Sequence, residues 1–152
     1  MTSTTRPRGG SVDGYLGNEE AAFCGAKLLL LHEGRLLTYL RDDFAGLPFA
    51  AHWDLPGGGR EGGEAPMVCA RRELAEEFGL DLPAARLAGQ AFPSVAMPGM
   101  VSWLFSGALT AAEIAAIRFG DEGQEWRMMP VADYLAHPRA VPHFRDWIAA
   151  VF

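Results

Sequence analysis

The sequence predicts an α/β chain, an α/β/α sandwich built around a mixed β-sheet. Three observations point there. Short apolar runs bounded by turn residues recur along the chain and read as strands. Between them, Met67, Ala70, Leu74 and Phe78 recur at helical spacing and mark one central amphipathic helix. A second helix, Pro142–Val151, is expected at the end of the chain, so helices are available for both faces of the sheet. A chain of 152 residues suits one domain with a substantial core.

Taken in order, residues 1–20 are rich in Gly, Ser and Thr, with two early arginines and no apolar core, and read as a mobile N-terminal tail rather than a secretory signal. The folded domain is expected over residues 21–152. Ala26–Leu31 reads as a buried strand, His32–Arg35 as a turn and Leu36–Arg41 as the hairpin partner. Asp42–His52 holds Gly46 and Pro48 and reads as a loop, and Trp53–Leu55 as a short strand stopped by Pro56-Gly57-Gly58-Gly59. Pro66 opens the central helix, where a missing N–H is tolerated, and Gly79 stops it. Arg86–Phe92 and Met100–Leu109 are expected strands. Thr110 and Glu113 have capping-box spacing before a short helix through Ile117. Glu125–Met129 reads as a strand and Val131–Ala136 as a short helix.

Composition narrows the function. Net charge is −6 and Lys27 is the sole lysine, so there is no basic stripe for duplex nucleic acid. No apolar run is long enough to span a bilayer, and a cytoplasmic location is expected. Cys24 and Cys69 stand far apart without metal-like partners and are expected to be reduced, partly buried residues. The four histidines show no ligand spacing.

The chemistry concentrates in Gly58–Leu80, GGREGGEAPMVCARRELAEEFGL. Glu73, Glu76 and Glu77 lie three and four residues apart and share one helix face beside the apolar stripe. By composition alone they would be a solvated surface, but carboxylates that close repel one another. A hard divalent cation turns that repulsion into a binding site. An acidic chain can then take a small polyanion, because the bound cation supplies positive charge locally.

The segment resembles the Nudix box at all nine fixed positions: Gly58, Glu64, Arg72, Glu73, Leu74, Glu76, Glu77, Gly79 and Leu80. The resemblance implies hydrolysis of a diphosphate linked to another group, with water and Mg²⁺, for which Mn²⁺ can substitute. It also implies the same sandwich fold. Glu73, Glu76 and Glu77 are then metal ligands, with the Gly58 carbonyl as a further one. Arg72 is expected to pair with a neighbouring carboxylate, Glu64 being the candidate, and to fix the loop against the helix.

The family often adds a later acidic residue as ligand or general base. In Gly120-Asp121-Glu122-Gly123-Gln124-Glu125, Glu122 is the preferred candidate, Glu125 the runner-up and Asp121 the third. Glu76, Glu77, Glu122 and Arg72 thus make up the implied catalytic set. Arg41, ending the second strand, is implied as a contact for substrate phosphates; Trp53, Trp103, Trp126, Phe44 and Phe49 are candidates for stacking a base.

The first substrate expectation is a nucleoside triphosphate or similar small nucleotide. An ADP-ribose or sugar-nucleotide pyrophosphatase, with a possible homodimer completing the site, is the alternative. A nucleotide-sensing domain without hydrolysis is a third class, but it is free to lose its helix acids, and here all remain. Members that read an oxidised purine use an asparagine near the final helix; the sole asparagine here is Asn18, and Ala140 precedes Val141-Pro142 instead.

Overall fold

The computed structural model describes residues 22–152, so the expected tail lies outside the described residues. The centre is β1 (Phe23–His32), and its apolar run explains why. Leu28 and Leu30 face one core while Leu29 faces the other, and all three are fully buried. A strand buried on both faces reads as a continuous hydrophobic run. Glu33 and Gly34 both take positive φ and form the tight turn into β2 (Arg35–Leu40).

β3 (Trp53–Asp54) pairs with the end of β2, and β4 (Gly57–Gly59) pairs antiparallel with β1 from Gly25↔Gly59 to Lys27↔Gly57. Helix α1 (Pro66–Phe78) follows, then a 3-10 turn at Ala84–Arg86. β5 (Ala88–Pro93) pairs antiparallel with β6 (Val101–Ala108), which runs parallel to β1. Helix α2 (Ala111–Ala115), β7 (Glu125–Pro130), α3 (Val131–Ala136) and α4 (Pro142–Val151) complete the chain. β7 pairs antiparallel with the whole of β2, which closes a mixed seven-stranded sheet.

The layers follow from side-chain alternation. Cys69, Ala70, Leu74 and Phe78 of α1 pack with Leu28, Leu30, Leu37 and Phe105 on one face. Phe144, Trp147 and Ile148 of α4 pack with Leu29, Leu36 and Leu104 on the other. Full burial of Leu74 and Phe78 contributes about 1.5–3 kcal/mol each. Gly79, at φ 68°, ends α1 in the left-handed conformation and donates its N–H to the Ala75 carbonyl at 3.0 Å.

Some boundaries differ from expectation. β1 starts three residues earlier than Ala26, because Phe23 and Gly25 find partners in Val101 and Ser102 of β6. Gly57–Gly59, expected as a turn, is a strand. Arg86 leaves the strand for the 3-10 turn, where its guanidinium grips Glu113 at 2.6 and 2.8 Å. The Thr110–Glu113 capping box is present, although α2 stops at Ala115 instead of Ile117.

Candidate active site

The Gly-rich strand brings the loop close to α1. An ideal Cβ on Gly58 would lie 2.6–2.7 Å from the Glu73 carboxyl, so only a residue without a side chain lets the strand lie against that carboxylate. One turn along, Glu77 Oε1 accepts the Gly57 N–H at 2.8 Å. Burial pushes Glu77 up to about 8, with the Lys27 ammonium and the Gly57 N–H opposing the shift and Glu73 and Asp54 adding to it. Burial also raises Glu73, while Arg72 opposes it.

Arg72 is the hub of the helix face. Its Nε donates to Glu64 Oε2 at 3.0 Å and its Nη2 to Oε1 at 2.7 Å, the expected pairing in bidentate form. Nη2 also donates to the Gly59 carbonyl at 3.0 Å, and Nη1 to Glu73 Oε2 at 2.9 Å and Glu76 Oε1 at 3.2 Å. The hydrogen bonds from Arg72 hold Glu64 at about 2.

The late loop returns to the same place. Gly120 N–H donates to the Glu77 carbonyl at 2.8 Å, and Arg118 N–H to that of Phe78 at 2.9 Å, docking the segment on the end of α1. Asp121 and Glu122 therefore line one cavity of about 210 Å³ with Glu73, Glu76 and Glu77. Glu125 is placed elsewhere: it opens β7 opposite Leu40, and its carboxylate accepts from Arg127 at 3.3 Å.

A second hub lies behind the Gly-rich strand. Asp54 is 2% exposed, and its Oδ2 accepts from Tyr39 at 3.0 Å, Arg41 Nη1 at 2.9 Å and Lys27 Nζ at 3.2 Å. Its Oδ1 accepts the Leu55 N–H at 2.7 Å. Lys27 Nζ also donates to the Leu55 and Gly57 carbonyls, each at 3.2 Å. One buried carboxylate thus orders two cations beside the acidic face.

A family model described as NUDIX domain matches residues 14–151. The chain belongs to the Nudix family. It is accordingly a pyrophosphohydrolase of the class that acts on acid anhydrides.

Solved structures share the Nudix fold. A MutT protein from Methanosarcina mazei Go1 is 21% identical over 86% of this chain and 94% of its own, with a TM-score of 0.67. The NUDIX domain of Shewanella oneidensis NrtR, solved with ADP ribose, is 20% identical over 86% of this chain and 87% of its own, with a TM-score of 0.61. A bifunctional NMN adenylyltransferase/ADP ribose pyrophosphatase from Francisella tularensis, solved with AMP and a Mn ion, is 18% identical over 86% of this chain but 41% of its own, with a TM-score of 0.64. No curated protein matches.

The Nudix box of this chain offers an all-oxygen donor set of Glu73, Glu76, Glu77 and the Gly58 carbonyl, with Glu122 across the cavity. That set fits a hard divalent cation. Gly58 lies against the Glu73 carboxylate, while its carbonyl accepts from the Cys69 thiol at 3.7 Å. The acids are not gathered at one point, however. Among the described residues, no three His, Cys, Asp or Glu side chains converge closely enough to hold an ion. Glu73 and Glu76 each accept from the Arg72 guanidinium, and Glu77 accepts the Gly57 N–H.

Arg41 lies where it can face a ligand. Its Nε donates to the Pro48 carbonyl at 3.0 Å and its Nη1 to Asp54, while its Nη2 donates to nothing among the described residues. The aromatic candidates divide. Trp53 is buried, Trp103 stacks on Phe105, and Trp126 packs on the core, whereas Phe44 and Phe49 are exposed. Phe49 borders an apolar cavity of about 310 Å³ with His143, Phe144, Trp147, Lys27 and Gly58. Cys24, a free thiol, contacts Ser94 and Ser102 hydroxyls on the opposite wall at 3.2 and 3.4 Å.

Sequence reading missed Asp54, Lys27, His143 and Trp147. Asp54 carried one signal: it is an acid inside a short apolar strand, which demands buried partners. The remaining residues come from β1 and α4 and carry no shared spacing.

Proposed function

We propose that this Nudix chain hydrolyses a phosphoanhydride in a nucleoside triphosphate or a related small nucleotide, a nucleoside diphosphate linked to another group. Mg²⁺ is its cofactor, and Mn²⁺ can substitute. The observation that carries this reading is the single cavity lined by Glu73, Glu76, Glu77, Asp121 and Glu122. Apolar ligand pockets do not collect five carboxylates; a cavity meant for a cation-bearing diphosphate does.

Glu73, Glu76, Glu77, Glu122 and the Gly58 carbonyl would hold the ion. When bound, it neutralises the diphosphate, orients it and lowers the pKa of an attacking water. Glu122, whose loop is docked on α1 and whose carboxylate lines the cavity, would serve as a ligand or accept a proton from the attacking water. Arg72 keeps the Gly-rich strand and the helix in register through Glu64 and Gly59. Arg41 offers its Nη2 to a phosphate oxygen. The base enters the apolar cavity, which Phe49, His143 and Trp147 line.

Among the described residues no helix is long and apolar enough to cross a membrane, and we assign the protein to the cytoplasm as a proposal. The test is a screen of purified protein with Mg²⁺ against nucleoside triphosphates, dinucleotides and nucleotide sugars, reading release of pyrophosphate or phosphomonoester. Turnover of at least one is expected. Nucleotide binding with no turnover across the whole panel would favour the sensing alternative.

A further inference from the structure

The loop that carries Asp121 and Glu122 is fastened on both sides. Before the two acids, the Phe119 ring packs against Phe78 and Tyr39, at centroid distances of 5.5 and 6.3 Å. The Gly120 N–H then donates to the Glu77 carbonyl at 2.8 Å. After the acids, three hydrogen bonds run to the end of β2. The Gly123 N–H donates to Asp42 Oδ2 at 3.2 Å, the Gln124 N–H to the Leu40 carbonyl at 2.8 Å, and Gln124 Nε2 to the Arg41 carbonyl at 2.9 Å. Asp121 and Glu122, both exposed, thus form the span of a strap from the end of α1 to the end of β2.

Glycines on either side of two acids would suit a hinged flap, but neither glycine is spare. A Cβ on Gly120 would lie 3.0 Å from the Glu76 carbonyl oxygen, because the loop lies directly on α1. Gly123 has a φ of +93°, and a Cβ there would lie 2.9 Å from Tyr39 and 3.0 Å from Phe119. Each glycine permits a close approach, which fixes the backbone instead of freeing it. A glutamate has several rotatable bonds, so the backbone beneath it decides where its carboxylate can reach. Misplacing a reacting group by about 1 Å costs about 10²-fold. Two of the hydrogen bonds that hold the strap use side chains, those of Asp42 and Gln124.

We propose that Asp42 and Gln124 are positioning residues for the reaction, holding Glu122 over the acidic cavity. This rests on the role given to Glu122 above. The N–H that Asp42 accepts belongs to the peptide group joining Glu122 to Gly123, so the carboxylate grips the backbone at Glu122 itself. Gln124 pins the far end of the strap through its own N–H and its side-chain amide. The acceptor of that amide is the carbonyl of Arg41, whose guanidinium is assigned to a phosphate oxygen. The late acid and the phosphate contact are therefore carried by one hydrogen-bonded unit. The acidic cavity is lined by Glu73, Glu76, Glu77, Gly120, Asp121 and Glu122, so Asp42 and Gln124 act through Glu122.

The test uses the full chain with Mg²⁺ and the nucleotide it turns over best. Asp42→Ala removes the acceptor and is expected to lower kcat by about tenfold, the order of one charge-assisted hydrogen bond, with KM within about twofold. Asp42→Asn keeps an oxygen that accepts the Gly123 N–H and is expected to stay within about threefold of wild type. In a double-mutant cycle, Asp42→Ala should change the Glu122→Gln enzyme by less than about twofold, because placement no longer matters once the carboxylate is gone. Should Asp42→Ala fail to fold, Gln124→Ala, at an exposed position, takes its place in the cycle with the same expectation. Hydrogen–deuterium exchange reads the strap without turnover. Amides of residues 119–124 should exchange about tenfold faster in Asp42→Ala and at the wild-type rate in Asp42→Asn. Equal losses in the two Asp42 variants, additive effects in the cycle, or unchanged exchange in Asp42→Ala overturns the positioning role and leaves the Glu122 reading standing. Normal turnover by Glu122→Gln overturns both.

Discussion

Arg72 holds Glu64 with two hydrogen bonds, Nη2 to Oε1 at 2.7 Å and Nε to Oε2 at 3.0 Å, across a loop-to-helix gap of eight residues. The same guanidinium reaches the Gly59 carbonyl, Glu73 and Glu76. Its planar fork thus sets the distance between the Gly-rich strand and the acidic face. A lysine keeps the charge and loses the fork. Arg72→Lys should lower kcat/KM by about 10–100-fold, the usual cost of losing a group that orients metal ligands. Activity within about twofold of wild type, measured on the best substrate, would count against this role.

Glu77 is the most buried of the helix acids and the one tied to the Gly-rich strand. Glu77→Gln keeps its size and its contact with the Gly57 N–H but removes its charge. Turnover should fall by about 10²-fold or more, because a hard cation loses an anionic ligand. Circular dichroism should remain native. Near-normal turnover would remove Glu77 from the metal site.

The same residue predicts a pH dependence for the metal-free protein. Burial sets its folded pKa at about 8, above the roughly 4.3 of an unfolded glutamate. A raised carboxyl pKa stabilises the fold fully below the unfolded value, and that contribution is lost as pH rises through the folded value. The stability of wild type relative to Glu77→Gln should therefore fall between about pH 4.5 and pH 8 and level off above. Urea unfolding across that range, without divalent metal, reads it directly. Cation binding at pH 7 should release close to one proton per site, seen by calorimetry in buffers of different ionisation enthalpy.

Asp54 joins Lys27, Arg41 and Tyr39 with almost no exposure of its own. Asp54→Asn leaves two cations without their shared anion. Removing one member of a fully buried pair costs about 3–5 kcal/mol; Lys27 and Arg41 are 16% and 22% exposed, so about 1–3 kcal/mol is expected here. Urea denaturation measures it, and a change below about 0.5 kcal/mol would show that Asp54 does not hold the cluster.

The late acid is decided by two isosteric variants. Glu122→Gln should lower kcat by about 10²-fold or more, while Glu125→Gln, whose carboxylate meets Arg127 on β7, should stay within a few fold of wild type. The reverse order would transfer the role to Glu125.

Much of the candidate site could be read in the chain because it lies on one helix and the turn before it. Glu73, Glu76, Glu77 and the Arg72–Glu64 pair follow from helical spacing and a short loop, which are local. Glu122 could be ranked first among the late acids by resemblance, but its place beside Glu77 could not be read, because that depends on Gly120 docking onto the end of α1. Trp53 and Trp103 could not be separated from Phe44 and Phe49 as ligand contacts, because aromatic residues serve cores and sites alike, and burial alone distinguishes them.

By itself, then, the sequence determined the helix stripe, the acidic face and the family, since each is a pattern of near neighbours along the chain. The tertiary structure decided that Gly57–Gly59 is a strand lying against Glu73, that Asp54 holds Lys27 and Arg41 together, and that Asp121 and Glu122 share one cavity with Glu73, Glu76 and Glu77. Those relationships join β1, the end of β2, β3, β4, α1 and the late loop. Contacts between segments so far apart are set by the packing of two cores on opposite faces of one sheet, and spacing along a chain does not record packing.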